Sequence, residues 1–164
     1  MIGVRLHRAE RVDDLGLGGL RIIQHPRSFC FSLDSVLLAH FARLRKQDRV
    51  VDLGAGSGAV SLLLAGRGAA RVAAVELDAA AASRAARSIH LSRRSSQVQV
   101  HCGDYRQALP QLSPGDWDVV VANPPYYQPA KGRCSGLNAM ARQELTATWA
   151  EVLGAARRLV RLRV

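Results

Sequence analysis

The stretch RVVDLGAGSGAVSLLLAG, residues 49–66, limits the possible folds more than any other part of the chain. It opens on a short β-branched apolar run, passes through Gly54, Gly56 and Gly58, and continues as an apolar segment of helical composition. A short apolar run that ends in glycine reads as a strand buried on both faces. Glycines between a strand and a helix permit a tight turn and let backbone amides come close to a ligand.

The alternation continues downstream. RVAAVEL reads as a strand, DAAAASRAARSIHL as a helix that Asp78 can cap, QVQVHCGD as a strand and WDVVVANPP as a fourth strand. Upstream, LDSVLLAHFARL carries Val36, Leu37, His40, Phe41 and Leu44 at helical spacing. Near the end, residues 139–162 place Leu145, Trp149, Val152, Ala156 and Leu159 on one helical stripe. Strands alternating with helices imply an α/β fold with a doubly wound, mainly parallel sheet. Residues 1–32 read as irregular, with turn signals at GLGG and HP and a short strand at LRII. The expected organisation is a single domain over 1–164, with an N-terminal segment at 1–32 and a ligand-binding core at 33–164.

Composition narrows the function classes. The 164 residues are 48% hydrophobic and 22% charged, which suits one soluble domain with its own core. No apolar run approaches the ~18 residues of a membrane span, and the N-terminus lacks the apolar centre of a signal peptide. Cys30, Cys102 and Cys134 have no CxxC spacing, so they read as reduced thiols in a cytoplasmic protein and not as a metal site. The net charge of +10 suits a polyanionic partner, although 21 of the 23 basic residues are arginine and such a bias also follows from codon composition.

The strand ends carry the chemistry. Asp52 stands two residues before Gly54, giving DxGxGxG, whereas a dinucleotide fingerprint would read GxGxxG. A carboxylate there opposes a pyrophosphate but suits a ligand bearing an amine and a sulfonium. Glu76 ends the next strand, where a carboxylate can accept ribose hydroxyls, and Asp104 ends the third. The fourth ends in Asn123-Pro124-Pro125-Tyr126. The spacing resembles motif I of class I S-adenosylmethionine methyltransferases, and NPPY resembles the signature of those acting on planar nitrogens. Such an –NH₂ is a poor nucleophile because its lone pair is delocalised. If the Asn123 amide oxygen and the Pro124 carbonyl each accept one N–H, that lone pair is released. Proline stiffens the segment and Tyr126 can stack on a target ring drawn out of its stack.

A narrower resemblance joins GGLRIIQHPRSFCFSLDSVLLAHFA, DRVVDLGAGSGAVSLLLA and NPPYYQPAKGR with ARQEL. Over roughly residues 14–160 the chain is similar to bacterial tRNA adenine-N6 methyltransferases that modify valine tRNA next to the anticodon. The resemblance implies a Rossmann-like class I methyltransferase fold and S-adenosyl-L-methionine as cofactor. It assigns Asp52, Gly54, Gly56, Gly58, Glu76, Asp104, Phe31 and Ser32 to the cofactor, and Asn123, Pro124, Pro125 and Tyr126 to catalysis. The implied partner is tRNA, with no membrane and no metal. Gln143 departs from the family's RHEL segment, where histidine is expected.

Such enzymes continue after the fourth-strand helix with a glycine turn and further strands. Here RRLVRLRV runs to Val164, and the alternating Val160, Leu162 and Val164 could mimic a stub of strand but more simply end the helix. The expectation is a sheet missing its last strands, with its fourth strand an apolar edge for an oligomer or partner to cover. Two other readings stay open. A glutamine side-chain amide would meet the same acceptors, as in protein-glutamine N5 methyltransferases, and an inactive cofactor- or RNA-binding remnant would keep the motifs without turnover.

Overall fold

The computed structural model describes residues 4–28, 30–107, 109–124 and 147–161. Its centre is a four-stranded parallel sheet of β3 (Arg49–Leu53), β4 (Arg71–Glu76), β5 (Val98–Cys102) and β6 (Val119–Ala122), in the order β5-β4-β3-β6. Helix α1 (Leu33–Phe41) precedes β3, while α2 (Ala59–Gly66) and α3 (Ala79–Leu91) are the crossovers from β3 to β4 and from β4 to β5. Helix α4 (Trp149–Leu159) follows β6.

Alternation along the strands sorts the core into two layers. Val50, Val72, Ala74, Val98 and Val121 face α1, α2 and α3, while Val51, Leu53, Ala73 and Val75 face Trp117, Val152, Ala155 and Leu159. Helices therefore cover both faces, as expected for a doubly wound sheet. Helix α2 is apolar all round because it is enclosed all round, with Leu62, Leu63 and Leu64 each at 0% exposure. Burying each of those side chains contributes about 2 kcal/mol. Among the described residues, no helix is long and apolar enough to cross a membrane.

The N-terminal segment is more regular than its sequence suggests. β1 (Arg11–Asp14) pairs antiparallel with β2 (Arg21–Gln24), the second being the expected LRII strand. The first was missed because RVDD is polar and exposed, and strand pairing alone specifies it. Helix α3 then covers the hairpin's second strand with two hydroxyls one turn apart. Ser88 Oγ accepts from the Ile23 amide at 2.9 Å, and Ser92 Oγ accepts from the Arg21 amide at 2.9 Å while donating to its carbonyl at 2.8 Å. A strand edge that would otherwise stay open is thereby satisfied. The Arg87 guanidinium adds a two-pronged pair to Glu10, at 2.6 and 2.7 Å, and holds that carboxyl at about 2.

Packing orients α1, and one expectation at the end of the chain is corrected. In α1 the buried residues are Ser35 and Ala39, Val36 packs partly buried against the same core, and Leu37 and Phe41 are exposed, so the apolar spacing straddles the boundary between core and solvent. At the other end the helix stops at Leu159. Val160 is extended (φ −72°, ψ 138°) and makes a parallel bridge to Trp117, just ahead of β6, with the Arg161 amide donating to the Trp117 carbonyl at 2.6 Å. Val160 thus begins strand pairing instead of finishing the helix, while Leu162 and Val164 lie outside the described residues. Helix α4 starts at Trp149, where Thr148 and Glu151 form a reciprocal capping box, and residues 139–146 of the expected stripe lie outside the described residues.

Candidate active site at the carboxyl ends of the strands

Parallel pairing brings the acidic strand ends to one edge of the sheet. Leu53 is in register with Val75 on one side and with Ala122 on the other, and Glu76 with Cys102. Asp52, Glu76, Asp104 and Asn123 therefore all sit where open α/β sheets bind ligands.

Asp52 shares its strand face with Val50 and so points towards α2. There Ser61, the sole polar residue of that helix, donates its hydroxyl to Oδ2 at 2.6 Å. Asp52 is only 1% exposed, and burial pushes its carboxyl up to about 6, against the Ser61 hydrogen bond and with a smaller contribution from the charge of Glu76. Glu76 is also buried, and its two oxygens accept from the Gly56 amide at 2.6 Å and the Asp78 amide at 2.8 Å. Asp104 is held differently. Arg106 donates to it from its own amide at 2.9 Å and from its guanidinium at 2.7–2.9 Å, which lowers the Asp104 carboxyl below its usual range. Arg158 of α4 secures that turn by donating to the Tyr105 and Arg106 carbonyls at 3.0 and 3.2 Å.

The glycine loop is pinned from behind, since the Gly54 and Ala55 amides both donate to the Val75 carbonyl at 2.9 Å. Gly54 and Gly56 have φ of +73° and +57°, and a Cβ added to either would meet nothing within 4 Å. The space above them is open to a ligand. Gly58, at φ +89°, has a different task. An added Cβ would lie 3.3 Å from the Ala85 Cβ, so this glycine permits α2 to approach α3.

Cys30, Phe31, Ser32, Ser35, Asp52, Gly54, Gly56 and Asn123 line one cavity. Gln24, at the end of β2, accepts the Phe31 amide at 2.8 Å and so ties the Phe31–Ser32 segment to the hairpin. Asn123 Nδ2 donates to Ser35 Oγ on α1 at 3.4 Å, which turns Oδ1 the other way. Pro124 follows directly, while Pro125, Tyr126, Cys134 and Gln143 lie outside the described residues. Of the residues expected at the site, Asp52, Gly54, Gly56, Phe31, Ser32 and Asn123 share the cavity. Glu76 joins through the Gly56 amide, Asp104 stands further along the edge, and Gly58 is turned into the helix packing.

Sequence reasoning missed Ser35, Ser61, Gln24 and Arg106. Ser61 left a signal, a lone hydroxyl in an apolar helix, but the others become partners only through tertiary packing. The donor set fits S-adenosylmethionine: a buried carboxylate for its cationic end, a carboxylate beside the loop for a diol, and a third for an amine. Open space over Gly54 and Gly56 leaves room for it.

Comparison with known proteins agrees. Residues 32–153 match the model of a family described as Conserved hypothetical protein 95. The chain is 40% identical over 129 residues to the tRNA1(Val) (adenine(37)-N6)-methyltransferase of Serratia proteamaculans, covering 77% of this chain and 49% of that one. It is 38% identical over 94 residues to the protein of the same name from Bacteroides fragilis, covering 57% and 40%. The chain thus spans about half the length of the curated relatives it matches, or less. Among solved structures, Pyrococcus horikoshii TYW2 in complex with MeSAdo superposes with a TM-score of 0.59 at 24% identity, over 70% of this chain and 42% of that one. Geranyl diphosphate C-methyltransferase from Streptomyces coelicolor, with S-adenosyl-L-homocysteine, gives 0.61 at 17% identity, over 79% and 42%. These two likenesses establish a Rossmann-like methyltransferase fold. With its motifs gathered at one sheet edge and the match running from Ser32 through α1 and the parallel sheet into α4, the chain belongs to the Conserved hypothetical protein 95 family.

Proposed function

We propose that the chain binds S-adenosylmethionine at this edge and methylates the exocyclic N6 of an adenine in tRNA. The observation that carries the reading is the convergence of Asp52, Gly54, Gly56 and Asn123 on one cavity. The names of the similar proteins, which specify adenine 37 of a valine tRNA, support the substrate, as does the net charge of +10.

The bound cofactor supplies an electrophilic methyl group on a sulfonium. Asp52 provides the counter-charge to the cationic end, Glu76 accepts from the ribose hydroxyls and Asp104 from the adenine amine. Phe31 and Ser32 close the cavity at the methionine end. Asn123 Oδ1 and the Pro124 carbonyl accept the two N6 hydrogens of the target and localise the nitrogen lone pair. Ser35 orients the Asn123 amide by accepting from Nδ2. Pro125 stiffens the acceptors and Tyr126 stacks on the extruded base. Catalysis on this scheme is mainly positioning, and the proton leaves after transfer.

Asn123→Ala tests it. Tritium-methyl transfer from S-adenosylmethionine to an unmodified tRNA transcript should fall by about a thousandfold, with S-adenosylhomocysteine affinity kept within about threefold, as for a contact made mainly in the transition state. Equal loss of both would make Asn123 a structural residue. Transfer to a glutamine-containing peptide and not to tRNA would favour the N5 reading.

A further inference from the structure

Asn123 lines two spaces. One is the cavity shared with Asp52 and the glycine loop, and the other is an open groove along α1 bounded by Leu37, Leu38, Phe41 and Ala122 together with Asp34 and His40. Its amide is therefore the partition between the cofactor side and the approach to it. Leu33, Leu37 and Phe41 form a single line down α1, four residues apart, and are 69%, 55% and 87% exposed. The helix is not free to roll and bury them. Ser35 and Ala39 are packed inward, and the Arg67 guanidinium donates to the Ala39 carbonyl and, at 3.0 Å, to that of Ala42. Directly after the helix come Arg43, Arg45 and Lys46, all exposed and with no ion pair among the described residues. The one acidic side chain of residues 33–46 is Asp34, in the first turn of the helix, where it lines the opposite end of the groove from the basic turn.

We propose that the outer face of α1 and the basic turn after it dock the unpaired nucleotides flanking the methylated adenine, a proposal that rests on the RNA reading above. An exposed aromatic ring beside aliphatic side chains is a stacking platform for splayed bases, and three adjacent cations suit their phosphates. The target base itself goes to Asn123 and Tyr126, and the groove takes its neighbours. A second copy of the chain is the competing occupant of this face, and the sizing arm of the test below separates it from RNA. This surface differs from the cofactor site in what it recognises, namely the single-stranded conformation of the loop around the target.

The experiment measures binding of an unmodified valine-tRNA anticodon stem–loop to the full chain, to Phe41→Ala and to the triple variant R43E/R45E/K46E. S-adenosylhomocysteine titration and sizing run in parallel. Phe41→Ala should weaken RNA binding by about tenfold and leave S-adenosylhomocysteine affinity within twofold. The triple variant should flatten the log–log salt dependence by about two. RNA affinity within twofold of wild type in both variants overturns the inference while leaving the RNA reading intact. S-adenosylhomocysteine binding with no RNA binding by the wild-type chain overturns both. A wild-type dimer that Phe41→Ala converts to monomer, with RNA affinity unchanged, overturns it in favour of self-association. Ultraviolet cross-linking of the wild-type complex needs no variant to fold. Adducts within residues 37–46 support the proposal, and adducts confined elsewhere refute it.

Discussion

Asp52 and Asp104 lie on the same sheet edge, separated by one strand, yet their surroundings drive them in opposite directions. Asp52 sits between the sheet and α2 with one hydroxyl donor, and burial raises it to about 6. Asp104 sits in a turn with a guanidinium two residues away, and that contact lowers it. The sign of each contribution to stability follows. Asp52 favours the folded state most below its ordinary value of 3.8, and that contribution is lost as pH rises through about 6. Asp104 contributes above its ordinary value of 3.8, and its contribution is lost as pH falls through its lowered one. One carboxylate is poised to take a cation, and the other already holds one.

Of the tests of this contrast, the largest effect is expected from Asp52→Asn. At pH 8 the unliganded chain should melt higher, since a buried charge is gone, while S-adenosylhomocysteine affinity drops by about 2 kcal/mol, roughly thirtyfold. A calorimetric titration beside a thermal melt reads both. Unchanged affinity would mean that Asp52 is no counter-charge, and the contrast with Asp104 would lose its functional meaning.

A smaller effect is expected from pH alone. Affinity for S-adenosylhomocysteine should fall about tenfold between pH 8 and pH 5 as Asp52 takes up its proton. Ser61→Ala should move that midpoint upward, because the lost hydrogen bond favours the charged form. A flat profile from pH 8 to 5 would show that Asp52 remains ionised throughout.

Arg106→Ala should have the smallest effect. Arg106 is part-exposed, so its pairing with Asp104 is worth about 1 kcal/mol at most, or a few degrees of melting temperature at pH 7. The deficit should shrink in urea titrations as pH falls below 3.8, the ordinary value of Asp104, towards its lowered one. A deficit that persists there would mean that Arg106 stabilises the turn other than by pairing with a carboxylate, since Glu151, 3.9 Å away on α4, also loses its charge in acid.

Much of this was legible from residue order. β3, β4 and β6 read directly from their apolar runs because buried parallel strands need such runs, β5 read from its Val98 and Val100 alternation, and Asp78 announced the start of α3 by accepting from the Ala80 and Ala81 amides. The misreadings share a cause. β1 is polar and exposed, so its pairing with β2 leaves no hydrophobic mark. The spacing in α1 identified a helix but not which side is inward, because small Ser35 and Ala39 pack there while Leu37 and Phe41 stay out. Val160 carried the right alternation for a strand, yet only its bridge to Trp117 distinguishes pairing from a helix end.

The same division holds at the site. Residue types and spacing along the chain determined a glycine turn after a buried strand, acidic residues closing the strands, and an Asn-Pro corner after the last of them. These are local requirements of backbone geometry and can be read in order. The tertiary structure decided the state of each group. Packing of α2 on β3 desolvates Asp52 beside Ser61, a two-residue turn neutralises Asp104 with Arg106, and the fixed roll of α1 brings Ser35 to Asn123 and leaves Phe41 in solvent. Burial and partner distance are properties of residues far apart in the chain, so no local pattern encodes them.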